Sequence, residues 1–115
     1  MKITEVESFR VEVPLTEDQQ GTAGYYHSTG ITRVRTDAGI AGYGFAVCDA
    51  EAAAGILVGG DPLAVERHIE AGLDRWYGAE NALWDIVGKS AGLPLCRLWG
   101  CYRERMILYL TCVWP

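Results

Sequence analysis

An α+β fold is predicted, with three antiparallel strands followed by a small bundle of helices, and three stretches predict it. Apolar residues alternate with polar ones from Ile3 to Val13, and "ITRVRTDAGIAGYGFAV" (residues 31–47) reads as two strands about a tight turn. From Asp49 onward, apolar positions recur every three or four residues between capping and breaking residues.

The strands come first. Ile3, Val6, Phe9, Val11 and Val13 give the first strand one buried face, with one slip in the alternation, and Pro14 ends it. Residues 15–28, "LTEDQQGTAGYYHS", carry two glycines and adjacent tyrosines without a period, which predicts a long loop. Ile31, Val34 with its flanking Arg33 and Arg35, and the run from Ile40 to Val47 then enclose Asp37-Ala38-Gly39. A glycine free to take positive φ closes that hairpin with a bulge.

The helices follow. Asp49 caps "AEAAAGILV", which Gly59-Gly60 ends. Asp61 caps a second helix with Pro62 at its first position, where a missing N–H costs nothing, and Val65, Ile69, Leu73 and Trp76 form its apolar face. Gly78 interrupts. A third helix places Ala79, Ala82, Leu83, Ile86, Val87, Ser90 and Ala91 on one stripe, and Gly92 and Pro94 stop it. Asp85 and Lys89 lie one turn apart on another side, the spacing of a solvated or interface ion pair rather than of a catalytic acid and base. Trp84 and Trp99 stand at apolar positions and read as packing residues.

At 115 residues the chain has room for one domain that buries roughly two-thirds of its unfolded surface. Its 15 acidic side chains against 10 basic ones, the latter scattered, argue against a nucleic-acid partner. The N-terminus lacks the apolar core of a secretory signal, and the uncharged stretches 52–60 and 106–115 are too short to span a bilayer, so no membrane partner and a cytoplasmic location are expected. Cys48, Cys96, Cys101 and Cys112 form no C-x-x-C, and only His27 and His68 are there to supplement them. They read as free buried thiols in a reducing compartment. Gly39, Gly42 and Gly44 make no phosphate cradle, since no helix opens directly after them.

"KITEVESFRVEVPL", then "VRTDAGIAGYG", then "ALWDIVGKSAGLPLCRLWG" resemble the N-terminal capping domain of the enolase superfamily, in its mandelate racemase and muconate lactonizing branch. The similarity runs over essentially the whole chain and is most specific at Ala82 to Lys89 with Gly92, Pro94, Leu98 and Gly100. It implies a capping domain over residues 1–105, with 106–115 as the start of the first strand of a (β/α) barrel that is missing here. In that barrel, three acidic ligands hold magnesium and a lysine or histidine removes the proton next to a substrate carboxylate, the metal stabilising the resulting enediolate. None of those groups maps onto this chain, so the resemblance assigns it no catalytic residue, no metal ligand and no bound cofactor. Magnesium is implied for the full-length family member.

By position alone, the resemblance makes Tyr25, Tyr26 and His27 a substrate-specificity loop and Cys48 a pocket-lining residue of a second cap loop. The stretch between the hairpin and the Trp84 helix is shorter than the family pattern. The implied full-length protein is a magnesium-dependent racemase or dehydratase acting on a carboxylate such as a sugar acid, and the present chain alone is expected to be inactive. The alternative is a non-catalytic binding or assembly module that uses the cap fold and its exposed C-terminal strand to pair with another chain, and the isolated chain is expected to self-associate through residues 106–114, an uncharged β-prone stretch. A thiol or metal protein built on Cys96 and Cys101 is a third reading.

Overall fold

The structure is a computed structural model that describes residues 1–17, 28–103 and 105–107. The strands β1 (Ile3–Glu12), β2 (Ser28–Thr36) and β3 (Ala41–Phe45) form one antiparallel sheet in the order β1-β2-β3. The helices α1 (Ala50–Leu57), α2 (Val65–Glu70), α3 (Tyr77–Ala91) and α4 (Leu95–Leu98) follow, with a 3-10 turn at Leu73–Arg75 before α3. The predicted α+β order is found. The tail expected to be a strand, from 108 onward, lies outside the described residues.

The hairpin closes as its residues require. Gly39 takes φ 78° and donates to Thr36 O at 3.2 Å, while Thr36 N–H donates to Ile40 O at 3.1 Å. The start of β1 is tied down twice: Ile3 exchanges backbone hydrogen bonds with Gly59 and Gly60, and Lys2 N–H donates to the Asp37 carboxylate at 2.7 Å. The slip in β1 is real and lies between Ile3 and Glu5. It puts Ile3 and Val6 on the inner face. No second irregularity follows, so Phe9 and Val11, at odd spacing from Val6, fall on the outer face, each 38% exposed. That corrects the single buried face expected for this strand.

Asp49 caps α1 by accepting from Ala52 N–H at 3.1 Å. The second helix is not continuous. It starts at Val65, Asp61 capping only the turn before it, and it breaks at Gly72, whose φ of 104° no helix interior adopts. Leu73 and Trp76 still point inward because a 3-10 turn keeps residues three apart on one side. Gly78, expected to be a break, instead lies inside α3 and is fully buried. Gly92 ends α3 at φ 64°, with Leu93 N–H reaching back to Gly88 O at 3.1 Å.

The core lies between the sheet's inner face and the helices: Ile3, Val6 and Val34 against Leu57, Val65, Leu73, Ala79, Ala82, Leu83 and Ile86. Burying each large aliphatic side chain contributes about 1.5–3 kcal/mol. Helix α3 lies across β3 so closely that a methyl group on Gly42 would collide with the carbonyl of Ala82, and one on Gly44 with the carbonyl of Gly78. Two glycines on one strand face thus let a helix backbone rest directly on a strand backbone.

Candidate functional site: the loop end of the sheet

Glu12 pairs with Ser28 and Ile31 pairs with Phe45, so the segment joining β1 to β2 and the segment leaving β3 emerge from the same end of the sheet. Tyr25, Tyr26 and His27 belong to the first of these segments and lie outside the described residues. The root of that segment is described: Glu12, Val13, Pro14 and Leu15 line a cavity of about 470 Å³. Cys48 belongs to the second segment. It is a free thiol packed against the core and only half-buried, as Cys101 is, while Cys96 is exposed, which corrects the expectation of buried thiols; the Cys48 N–H donates to Ser8 Oγ at 2.9 Å.

The corner that carries Cys48 is strained, and its neighbours hold it in place. Ala46 sits at φ 102°, a conformation that costs a residue with a Cβ about 1–3 kcal/mol. Three contacts fix it. Its N–H donates to Gly30 O at 2.8 Å, its carbonyl accepts from the buried Thr32 hydroxyl at 2.8 Å, and Gly78 of α3 lets the helix approach that carbonyl. Gly30 is needed as well, because a Cβ there would lie 2.5 Å from Val47 N. Sequence reasoning missed Ala46, where a glycine or asparagine is the usual signal of positive φ. Thr32, a hydroxyl on the inner face between apolar neighbours, was the available clue.

The outer face carries an ion lattice toward the hairpin end of the sheet. Arg33 pairs with Glu7 at 2.5 Å, and Arg35 lies 3.1 Å from Glu5 and 3.2 Å from Glu7. The hydrogen bond from Arg33 holds the Glu7 carboxyl below the usual carboxylate range, and the bonds to Glu7 and then Tyr43 raise Arg33. A larger cavity, about 570 Å³, runs instead along the free edge of β3 between α3 and α4. Trp84 and Trp99 meet there edge to face, with ring centres 5.2 Å apart. Trp84 packs against the core as expected, whereas Trp99 touches Trp84 but remains 62% exposed, which corrects its reading as a packing residue.

Asp85 and Lys89 do more than pair with each other at 2.6 Å. Asp85 Oδ2 also accepts from Tyr43 N–H at 2.9 Å, and Lys89 Nζ donates to Ala41 O at 2.8 Å. These are outward-facing backbone groups of an edge strand. The ion pair occupies them.

Among the described residues no three of His, Cys, Asp and Glu come together as a metal site, and no helix is long and apolar enough to cross a membrane. Buried His68 donates from Nε2 to Asp61 O at 2.9 Å, so it serves the turn before α2.

No family model matches the chain. A D-galactonate dehydratase of Xanthomonas campestris pv. campestris is 34% identical over 99 residues, which take in 67% of this chain and 26% of the relative. Since 67% of 115 residues is about 77, about 22 of the 99 positions have no counterpart here. A mandelate racemase/muconate lactonizing enzyme of known structure superposes with a TM-score of 0.67 at 29% identity, covering 90% of this chain and 33% of that one. Another, from a marine actinobacterium and in complex with magnesium, gives 0.66 at 29% identity with the same coverage. The chain therefore spans about a quarter of the curated relatives and a third of the solved ones. A three-stranded meander with α3 laid on its glycine-lined edge, matched at this level over nine-tenths of the chain, identifies it as an N-terminal capping domain of the mandelate racemase/muconate lactonizing enzyme branch of the enolase superfamily.

Proposed function

We propose that residues 1–105 act as the specificity cap of a magnesium-dependent enzyme that removes the proton next to a carboxylate, a dehydratase or racemase of a sugar acid. In this reading residues from 106 onward begin the first barrel strand. The carrying observation is the convergence of two chain segments at one end of the sheet, one of them held in a strained corner at Ala46. Strain kept in place by a hydroxyl, a carbonyl and a close helix is what a loop needs if it must present side chains in one fixed position. The similarity to D-galactonate dehydratases supports a dehydratase of a sugar acid within that class.

Tyr25, Tyr26 and His27 would close over the substrate from the first segment, with Cys48 lining its side from the second. Aromatic faces exclude water, and a phenol or imidazole bonds a hydroxyl or carboxylate. The residues described here do not fit magnesium. Glu5 and Glu7 are paired with arginines, Asp85 with Lys89, and Asp37, Asp49 and Asp61 with backbone N–H groups. In this reading metal binding and proton abstraction are carried by parts of such an enzyme outside this chain, and the location proposed is the cytoplasm.

The test is a chimera in which this chain replaces the corresponding segment of a D-galactonate dehydratase. Dehydration with a changed substrate profile, lost selectively in Tyr26→Phe or His27→Ala, is the expected result. A folded, magnesium-loaded chimera whose profile ignores those substitutions refutes the specificity role. The 115-residue chain alone is expected to show no magnesium-dependent α-proton exchange on any sugar acid, and exchange abolished by EDTA would refute the division of labour.

A second reading, an assembly module, is favoured by exposed apolar side chains where the chain leaves the domain: Tyr102, Met106 and Ile107 are 88%, 79% and 98% exposed. In that reading residues 106–114 pair with another chain.

A further inference from the structure

Two of the cysteines are brought together by the turn that ends α4. Cys101 N–H donates to Cys96 O at 2.7 Å and Gly100 N–H to Arg97 O at 3.2 Å, with Gly100 at φ 93°. This pair of bonds around a left-handed glycine is a Schellman stop, which sets the side chain of the residue after the glycine beside the one five positions earlier. Those two residues are Cys101 and Cys96. The covalent bonds on either side of a 2.7 Å hydrogen bond hold their Cα atoms within about 6.6 Å of each other. Disulfides bridge Cα separations of about 4.4–6.8 Å.

Cys101 itself adopts φ 45°, a region that ordinarily selects glycine, asparagine or aspartate over a cysteine. Cys96 is exposed and Cys101 half-buried, so an oxidant arriving from solvent meets Cys96 first, with Cys101 placed to follow. Among the described residues no third His, Cys, Asp or Glu joins them to hold a metal ion. The geometry suits the two thiols to each other.

We propose that Cys96 and Cys101 are a reversible redox pair, joined by glutathione disulfide and reopened by glutathione thiol. The Cys96 thiolate attacks one sulfur of glutathione disulfide, forming a mixed disulfide and expelling one glutathione thiolate. Cys101 then loses its proton to solvent and its sulfur attacks Cys96 Sγ, expelling the second glutathione thiolate. Two protein thiols are oxidised, one glutathione disulfide is reduced, and the protons the cysteines lose end on the two glutathione thiols. The new bond ties the end of α4 to the point where the chain leaves the domain. Trp99 lies inside the closed ring, on the turn that sets it edge to face with Trp84. In a reducing compartment such a disulfide is transient and follows the redox state. The proposal does not rest on the capping function.

Redox titration of the full chain in glutathione buffers tests it, in a Cys48→Ser/Cys112→Ser background that removes the other two thiols. After acid quenching, alkylation of the remaining thiols and tryptic cleavage at Lys89, Arg97 and Arg103, the expected product is peptide 90–97 joined to peptide 98–103. Its equilibrium constant of formation should be roughly tenfold or more higher in the native chain than in concentrated urea, because the turn holds the thiols together. Cys101→Gly, which suits φ 45°, should leave the circular dichroism unchanged and stop at the mixed disulfide on Cys96. In Cys96→Ser, half-buried Cys101 should react with glutathione disulfide roughly tenfold or more slowly than Cys96 does in Cys101→Gly. A native chain that accumulates only mixed disulfides, or whose link forms no more readily than in urea, overturns the proposal. A wild-type chain in which Cys96 or Cys101 pairs instead with Cys48 or Cys112 overturns it as well.

Discussion

Replacing Asp85 with alanine should cost more than the loss of a helix ion pair. An exposed i, i+4 pair contributes about 0.3–0.5 kcal/mol, and if that were all, Asp85→Ala and Lys89→Met would each cost that much. Here Asp85 Oδ2 also accepts the Tyr43 N–H, and a hydrogen bond to a charged group contributes about 1.5–3 kcal/mol. The Asp85 side chain is 35% exposed, so water competes and the lower part of that range applies. Asp85→Ala should therefore cost about 1.5–2 kcal/mol. Lys89→Met should cost about 1 kcal/mol, since it loses the bond to Ala41 O and the ammonium's position 5.0 Å from the Tyr43 ring centre but leaves the edge amide capped. Urea unfolding of both variants and their double mutant gives these values, and hydrogen exchange at the Tyr43 amide gives an independent local reading. A cost of about 0.5 kcal/mol or less for Asp85→Ala, together with unchanged Tyr43 exchange, would refute the edge-clamp reasoning.

Ala46→Gly relieves about 1–3 kcal/mol of strain against about 0.5–1 kcal/mol of added unfolded-state entropy, so the variant should gain about 1 kcal/mol in thermal or urea unfolding. Gly42→Ala and Gly44→Ala force a methyl into a helix carbonyl and should each cost about 3 kcal/mol or more, visible as loss of the folded state. Because the Glu7 carboxyl is held below its ordinary value in the folded chain, its contribution is fully present above the unfolded value and is lost as pH falls through the lowered folded value. Carboxyl NMR should show Glu7 titrating below the usual glutamate range and returning toward it in Arg33→Gln. Leu108→Lys/Leu110→Lys should raise solubility without altering the sheet and helix signals in circular dichroism.

Local rules made the hairpin, the Asp49 cap and the Gly92 stop legible, because each is decided by a residue and its near neighbours. The break at Gly72 was hidden, since Leu73 and Trp76 keep their apolar spacing across the 3-10 turn. The faces of β1 were misread because Val6 and Phe9, three apart with no bulge between them, must point to opposite sides. Asp85 and Lys89 looked like an ordinary surface pair, and their second role depends on β3 being an edge strand under α3, a tertiary fact that no window of sequence contains. Of the proposed site, the position of Cys48 just after β3 was legible, while the bond of its N–H to Ser8 and that of Thr32 to the Ala46 carbonyl were not. Tyr25, Tyr26 and His27 lie beyond the described residues.

The glycines of β3 and α3 connect these separate features. Without side chains at Gly42 and Gly44 the helix settles onto the strand, and at that distance Asp85 and Lys89 reach the strand's open edge while Gly78 reaches the carbonyl of Ala46. One close approach therefore sets both the seal on the edge and the strained corner leading to Cys48. A bulkier residue at either strand glycine would lift α3, loosening the clamp at one end and the corner at the other. Variation in the cap loops is tolerable only while that contact holds, although none of the residues that make it is proposed to touch substrate.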